Sequence, residues 1–407
     1  MLDRRLPTDL ETSMNNRLRC FCQLGDLSGS AGFLSATRRH IHQHPELSFQ
    51  EADTAALVAR HLQEWGWGVT RGVGGHGVVG TLRVGSSSKS IALRADMDAL
   101  PIPEATGKPY TSVNAGVMHA CGHDGHTTML LGAAQQLAKT RNFNGTVQLV
   151  FQPAEEAGRG SGAQRMIEDG LFERFPCDAI FGLHNTPGVP AGTFGFGSGP
   201  FMSASDTALI TVHGRGGHAA RPHQTVDPVL IAGSLVIALQ SVVSRNIDPR
   251  QTAIVTIGSL HAGSASNVIP DVATLGLSIR SFDADVRERL EQRIRALVTA
   301  HVQGYGGEVD IEYERGYPVV VNTEAETRFA AQVAEELVGA ERVQSPFPPV
   351  TGSEDFAYYL LKKPGCFLRL GNGDGAMLHN PRYDFNDELL TVGAAYWTRL
   401  AERFLSD

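Results

Sequence analysis

His119-Ala120-Cys121-Gly122-His123-Asp124-Gly125-His126 packs three imidazoles, a thiol and a carboxylate into eight consecutive positions. Thiolate and imidazole together suit Zn, Co, Ni, Mn or Fe far better than Mg or Ca. The same residues offer a second chemistry, because a thiol beside a histidine can ionise and attack a carbonyl, as Cys121 would beside His123. Further along, Glu155 and Glu156 follow a β-run directly. On an extended backbone two adjacent carboxylates point in different directions, so one can bind a metal while the other works on water. His184 is expected to end a strand in GLHN, and His379 stands in MLHNPRYDF near Pro381. Taken singly these are an acidic loop and two ordinary histidines; their value lies in combination.

The elements around them explain how they could meet. SIALRAD (90 to 96), a helix from Thr127 to about Lys139, TVQLVF (146 to 151) and DAIFGLH (178 to 184) alternate strand and helix, the pattern of an α/β sheet with parallel strands. In such sheets ligands gather beyond the carboxyl ends of the strands. Asp96-Met97-Asp98, Glu155-Glu156 and His184 each fall at such an end. Between about Phe201 and Glu314 the order becomes strand, helix (Pro228 to Arg245), strand, strand, helix (Ala284 to Tyr305), strand. That β-α-β-β-α-β order predicts an inserted ferredoxin-like domain. A helix from Thr323 to about Ala340, a strand at CFLRLG and a helix from Asn386 to about Phe404 resume the first pattern. The expected organisation is a polar leader over 1–32, one domain over 33–200 and 315–407, and the insertion over 201–314. Two motifs mislead: Gly72-Val73-Gly74-Gly75-His76-Gly77 fits G-x-G-x-x-G but precedes a strand, so it reads as a hairpin turn. His40-Ile41-His42-Gln43-His44 runs into Pro45 and reads as a helix end.

With 407 residues, 42% hydrophobic and 19% charged, the chain has the composition of a globular enzyme of two or three domains. A net charge of −8 argues against nucleic acid as partner and favours a small-molecule substrate. No stretch approaches the roughly 20 apolar residues of a membrane span, and the first residues lack the apolar core of a secretory signal. Five scattered cysteines (Cys20, Cys22, Cys121, Cys177, Cys366) make a poor disulfide framework, so a reducing, cytoplasmic setting is expected.

The blocks RRHIHQHPELSFQE, LRADMDALPIPE, HACGHDGH, FQPAEE, GLHN, GRGGHAARPH, NVIPD, GSEDFA and LHNP, in this order, resemble the M20 metallopeptidase family in its aminoacylase and hippurate-hydrolase branch. The likeness runs from about Arg38 to the last helix. It implies a zinc-peptidase-like catalytic domain with a mixed, mostly parallel sheet flanked by helices, and a lid made by the insertion. It implies two divalent metal ions (Zn, Mn, Ni or Co) held by Cys121, His123, Glu156, His184 and His379, with Glu155 as general base. Asp98 would orient a ligand from behind, and a direct role for Asp96 is doubtful. His218, in GRGGHAARPH, resembles the residue that completes oxyanion stabilisation. Asn267 and Arg280 are candidates for holding the carboxylate of the substrate, for which Arg offers two parallel donors. GSEDFA is expected to support a loop. The activity implied is hydrolysis of N-acyl-L-amino acids. A dipeptidase or aminopeptidase of the same family is the runner-up, followed by a thiol hydrolase using Cys121 and His123 and by a non-catalytic metal or peptide binder. A lid of this type also offers an edge strand or helix through which two copies could pair as a homodimer.

Overall fold

The computed structural model describes residues 27–406. Cys20, Cys22 and most of the expected leader lie outside the described residues. The leader stops earlier than expected, because Leu27 is buried in the core and Leu27–Ser30 forms a 3-10 turn leading into α1 (Ala31–Gln43). The chain divides into two compact units, the second being Pro200–Val321 with Pro349–Ala357.

In the first unit α1 is followed by α2 (Ala52–Glu64), β1 (Gly68–Val73), β2 (Gly77–Val84), β3 (Ser90–Asp96), α3 (His123–Thr140), β4 (Gly145–Gln152), β5 (Ala179–Pro187) and β6 (Phe194–Gly195). β1 and β2 pair antiparallel across the glycine run, which is a hairpin turn as its sequence suggests. Every residue of β3 is buried, as expected of a strand covered on both faces.

The second unit inserts β7 (Ala204–His213), α4 (Pro228–Asn246), β8 (Ala253–Ala262), β9 (Val272–Ser281), α5 (Ala284–Gly304) and β10 (Glu308–Arg315). Its sheet has the order β8-β9-β7-β10 with every pairing antiparallel, the ferredoxin-like arrangement. Asp227 caps α4 by accepting from Val229 N and Leu230 N, and Asp283 caps α5 in the same way. Val286, Leu290, Ile294, Val298 and Val302 form a buried stripe on α5, each contributing about 1.5–3 kcal/mol on burial. Contrary to expectation, α4 is long and apolar enough to cross a membrane. Its Ile231, Ala232, Leu235, Leu239 and Val242 are nevertheless buried in the core of this unit. The unit reaches beyond 201–314 because Gly316 N donates to Ser205 O and Ser205 N to Tyr317 O. The GSEDFA segment also folds with it, Ser203 N donating to Gly352 O.

The first unit resumes with α6 (Glu324–Val338), β11 (Val343–Gln344), β12 (Gly365–Gly373) and α7 (Leu389–Phe404). Its sheet has the order β1-β2-β4-β3-β5-β12-β6-β11, and the central run β4-β3-β5-β12 is wholly parallel. α3 packs against α7 and α1 and is buried along nearly its whole length. The carboxyl ends of β3, β4 and β5 therefore share one rim, which bears Asp96 and Gln152 with the carboxylates after it; β5 runs on to Pro187, so His184 lies within the strand and not at its end as expected.

Candidate active site

α3 begins at His123 rather than Thr127, so His123 and His126 sit in its first turn. The start is set by Gly122, whose φ of +99° favours glycine. A Cβ there would also lie 2.3 Å from Asn185 Oδ1 and 2.8 Å from the Tyr383 hydroxyl. Cys121 precedes this turn and is buried, with Sγ 3.3 Å from His184 Nε2. His379 arrives on a loop tied to the same segment, its N–H donating to Ala120 O, and holds a φ of +63°.

The two carboxylates after β4 depart from expectation. The strand ends at Gln152, Pro153 has no N–H, Ala154 is left-handed (φ 52°, ψ 48°), and Glu155–Ala157 forms a 3-10 turn. For a residue other than glycine that conformation costs about 1–2 kcal/mol. On this curled backbone the side chains of Glu155 and Glu156 converge instead of diverging, and both bring an oxygen within 4.8 Å of a His123 ring nitrogen.

Two of the donor triads found among the described residues contain the thiol. Cys121, His123 and His184 form one, and Cys121, Glu156 and His379 the other, with the donor atoms of each within 4.8 Å of one another. That span is about twice the 2.0–2.3 Å bonds a single divalent ion makes to sulfur, nitrogen and oxygen. All five expected ligands are thus brought together, and Cys121 belongs to both triads. His123 Nε2 and Glu156 Oε1 are buried without a hydrogen-bond partner, the condition of atoms aimed at a cation. His379 Nε2 stands 3.2 Å from that Glu156 oxygen as an ion pair without hydrogen-bond alignment. The soft and borderline character of the set fits a transition-series divalent ion.

Asp98 stands behind both triads. Its Oδ1 is 3.2 Å from His123 Nδ1, whose other partner is Asp98 O at 2.9 Å, so His123 presents Nε2 to the site. Its Oδ2 accepts from Glu156 N at 3.0 Å and from Ser48 Oγ at 2.6 Å. Burial opposes the Asp98 charge, but the bond to His123 and its charge, with the hydrogen bonds from Ser48 and Glu156 N, together outweigh it and hold the carboxyl below the usual range. Asp96 is occupied otherwise, with Oδ2 accepting from Arg94 Nη1 at 2.5 Å and Oδ1 2.7 Å from His126 Nδ1. His126 in turn lies 2.7 Å from Asn185 Oδ1. Asp96 thus neighbours His123 and His126, while His119, buried with both ring nitrogens unpartnered, joins no donor group found among the described residues. Asp124 is held by His42 at 2.8 Å and Arg38 at 3.5 Å, a buried charge network beneath the site that the sequence did not suggest. In the HIHQH run His42 contacts Glu104 and Asp124 and so serves structure.

Burial, with Glu156 adding, pushes the Cys121 thiol up, while His123 pulls the other way. A buried thiol of raised pKa is a poor nucleophile, and a cation is what would hold it as thiolate. Burial drives His184 well below the ordinary histidine range, with His126 adding, so it offers the neutral imidazole that ligation requires.

On the second unit, His218 lies in a two-stranded ribbon opposite Val268, exposed, with Nδ1 accepting from Ala220 N. Asn267 is its neighbour there, since Ala219 N donates to Asn267 O. Arg280 sits apart on β9, half-buried, donating from Nη1 to Ser353 Oγ at 2.9 Å, which ties GSEDFA to that strand.

A mostly parallel sheet whose carboxyl rim carries two metal-donor triads sharing one thiol, with a further carboxylate beside them, defines a metal-dependent hydrolase. Comparison with known proteins agrees. Residues 92–403 match the model of peptidase family M20/M25/M40. The chain is 46% identical to a hippurate hydrolase of Campylobacter jejuni, covering 92% of this chain and 97% of that one. It is 40% identical to an N-acetyl-L-cysteine deacetylase of Bacillus subtilis, covering 92% and 88%. Among solved structures it is similar to a dinuclear metal binding peptidase from the M20 family of Bacillus subtilis, at a TM-score of 0.81 and 33% identity over 93% of this chain and 99% of that one. The chain belongs to peptidase family M20/M25/M40 and is a hydrolase of amide bonds.

Proposed function

We propose that the protein hydrolyses N-acyl-L-amino acids of the hippurate and N-acetyl type, using two divalent ions (Zn, Mn, Ni or Co). Cys121, His123 and His184 would hold one ion, and Cys121, Glu156 and His379 the other. The observation that carries this reading is the sharing of Cys121 by two donor triads with Glu155 alongside. When bound, such ions polarise a water and the carbonyl it attacks. Glu155 accepts the proton of the attacking water and delivers it to the departing amine. Asp98 keeps His123 and Glu156 in place throughout. His218 is assigned to the oxyanion, and Asn267 and Arg280 to the free carboxylate of the amino acid, on the chemistry of their side chains and the family resemblance. The names of the hippurate hydrolase and the N-acetyl-L-cysteine deacetylase support an acyl amino acid over a dipeptide.

The test is a hydrolysis screen. Enzyme stripped of metal and reconstituted separately with Zn, Mn, Co and Ni is given hippurate, N-acetyl amino acids and dipeptides. Faster turnover of the acyl amino acids supports the reading, whereas preferential cleavage of dipeptides makes the protein a dipeptidase. We place the protein in a reducing, cytoplasmic setting in keeping with the free thiols of Cys121, Cys177 and Cys366. We also propose a homodimer paired through α4, where Val229, Leu230 and Ile237 are exposed. Sedimentation of Ile237→Glu as a monomer beside a dimeric wild type would support it.

A further inference from the structure

The segment Glu46–Glu51, part of the block RRHIHQHPELSFQE, supplies no metal donor, yet it reaches the carboxylate turn from two sides. Glu51 is fully buried, and its main-chain carbonyl accepts Ala55 N in the first turn of α2. Its side chain turns back instead of capping that helix. Oε1 accepts from Ala154 N at 2.8 Å and from Phe49 N at 2.9 Å. These two donors belong to two of the four non-glycine residues of positive φ among the described residues, Ala154 at 52° and Phe49 at 63°. One carboxylate oxygen thus pins two left-handed turns to each other. Ser48 completes the grip, because its hydroxyl donates to Asp98 Oδ2, which also accepts Glu156 N. The turn bearing Glu155 and Glu156 is held at Ala154 N by Glu51 and at Glu156 N through Asp98. Glu51 Oε2 is buried with no hydrogen-bond partner, so neither helix capping nor an ion pair accounts for this side chain.

We propose that Glu51 is a positioning residue for catalysis, whose Oε1 locks Ala154 in the left-handed conformation from which Glu155 and Glu156 are presented to the metal site. The inference rests on the reading of Glu155 as base and Glu156 as ligand. It requires an acceptor oxygen at this position and no negative charge. Burial, with Asp98 adding, pushes the Glu51 carboxyl up to about 7, so the neutral form is already well populated near neutrality.

The experiment compares the holoenzyme with Glu51→Gln, Glu51→Leu, Ala154→Val and the double variant Glu51→Leu/Ala154→Gly. It measures kcat and KM on hippurate, metal affinity by chelator competition, and thermal unfolding. Leu fills the space without an acceptor, and E51L is expected to lower kcat by about 10–100-fold with KM nearly constant and to weaken one of two metal equivalents by at least about tenfold. E51Q keeps an acceptor and should stay within about threefold of wild type in both. Glycine enters the left-handed region freely, so A154G should return much of the kcat lost in E51L, a rescue that mere loss of packing would not permit. A154V, β-branched and unsuited to that region, should reproduce the E51L defect with Glu51 intact, and decides the matter if E51L does not fold. Wild-type kcat and metal affinity in E51L or A154V, a folded E51Q as impaired as E51L, or no rescue by A154G would each overturn the proposal. Glu155→Gln is run in parallel: full activity there defeats the underlying assignment of the base, whereas an inactive E155Q beside a normal E51L defeats the present inference alone.

Discussion

Asp98→Ala is expected to weaken both metal positions at once, although Asp98 belongs to neither donor triad. The carboxylate meets three hydrogen-bonding groups: Ser48 Oγ at 2.6 Å, Glu156 N at 3.0 Å and His123 Nδ1 at 3.2 Å. Ser48 can turn its hydroxyl elsewhere, and His123 Nδ1 keeps Asp98 O at 2.9 Å in any variant. The loss without replacement is that of the Glu156 N–H, for which hydrogen bonds to charged groups are worth about 1.5–3 kcal/mol. His123 belongs to the triad with His184, and Glu156 to the triad with His379. The ion held through Glu156 should therefore weaken by about 10–100-fold, in line with other groups that orient metal ligands, and the ion held through His123, which keeps its main-chain acceptor, by less. Asp98→Asn can satisfy either His123 or Glu156 N with its single oxygen but not both, and should fall between wild type and Ala. Competition with a chromophoric chelator, read as two stoichiometric steps, measures this directly. An Asp98→Ala enzyme that unfolds normally and binds both equivalents as tightly as wild type would refute the reasoning.

Glu155→Gln should lower kcat by about 10²–10⁴-fold while leaving metal content unchanged, as checked by steady-state rates beside elemental analysis; normal turnover would remove Glu155 from the role of base. Because Cys121 serves both triads, Cys121→Ala should cost both equivalents of metal, whereas His184→Ala and His379→Ala should each cost one. Two ions retained in Cys121→Ala would show that the thiolate is not shared. His42 has a pKa raised to about 9, since Asp124 and Glu104 outweigh the opposing effect of burial. Its contribution is fully present below about pH 6.5 and lost as pH rises through about 9, a difference of roughly 3 kcal/mol at about 1.36 kcal/mol per unit. Denaturant unfolding of wild type and His42→Gln across that window should show the gap closing as pH rises; a constant gap would mean that His42 is neutral in the folded protein.

Much of this protein is written locally in its sequence. The buried run of β3, the alternation of strand and helix around it, and the β-α-β-β-α-β order of the second unit follow from periodicity and from caps such as Asp227 and Asp283. The donor types Cys121, His123, Glu156, His184 and His379 could be named from composition, spacing and family likeness, because ligand chemistry is a property of side chains. Other features depended on contacts between residues far apart in the chain. Where α3 begins depends on Asn185 and Tyr383 crowding Gly122. The direction of Glu155 and Glu156 depends on a left-handed Ala154 that Glu51 holds from 103 residues away. The charge network of Arg38, His42 and Asp124 joins segments that no local pattern links, and Pro349–Ala357 folds with the second unit although more than 100 residues separate it from β7. Local propensity and side-chain chemistry act within a few residues and are legible in sequence. Backbone conformations that are unfavourable in isolation exist only because the folded tertiary structure supplies their partners.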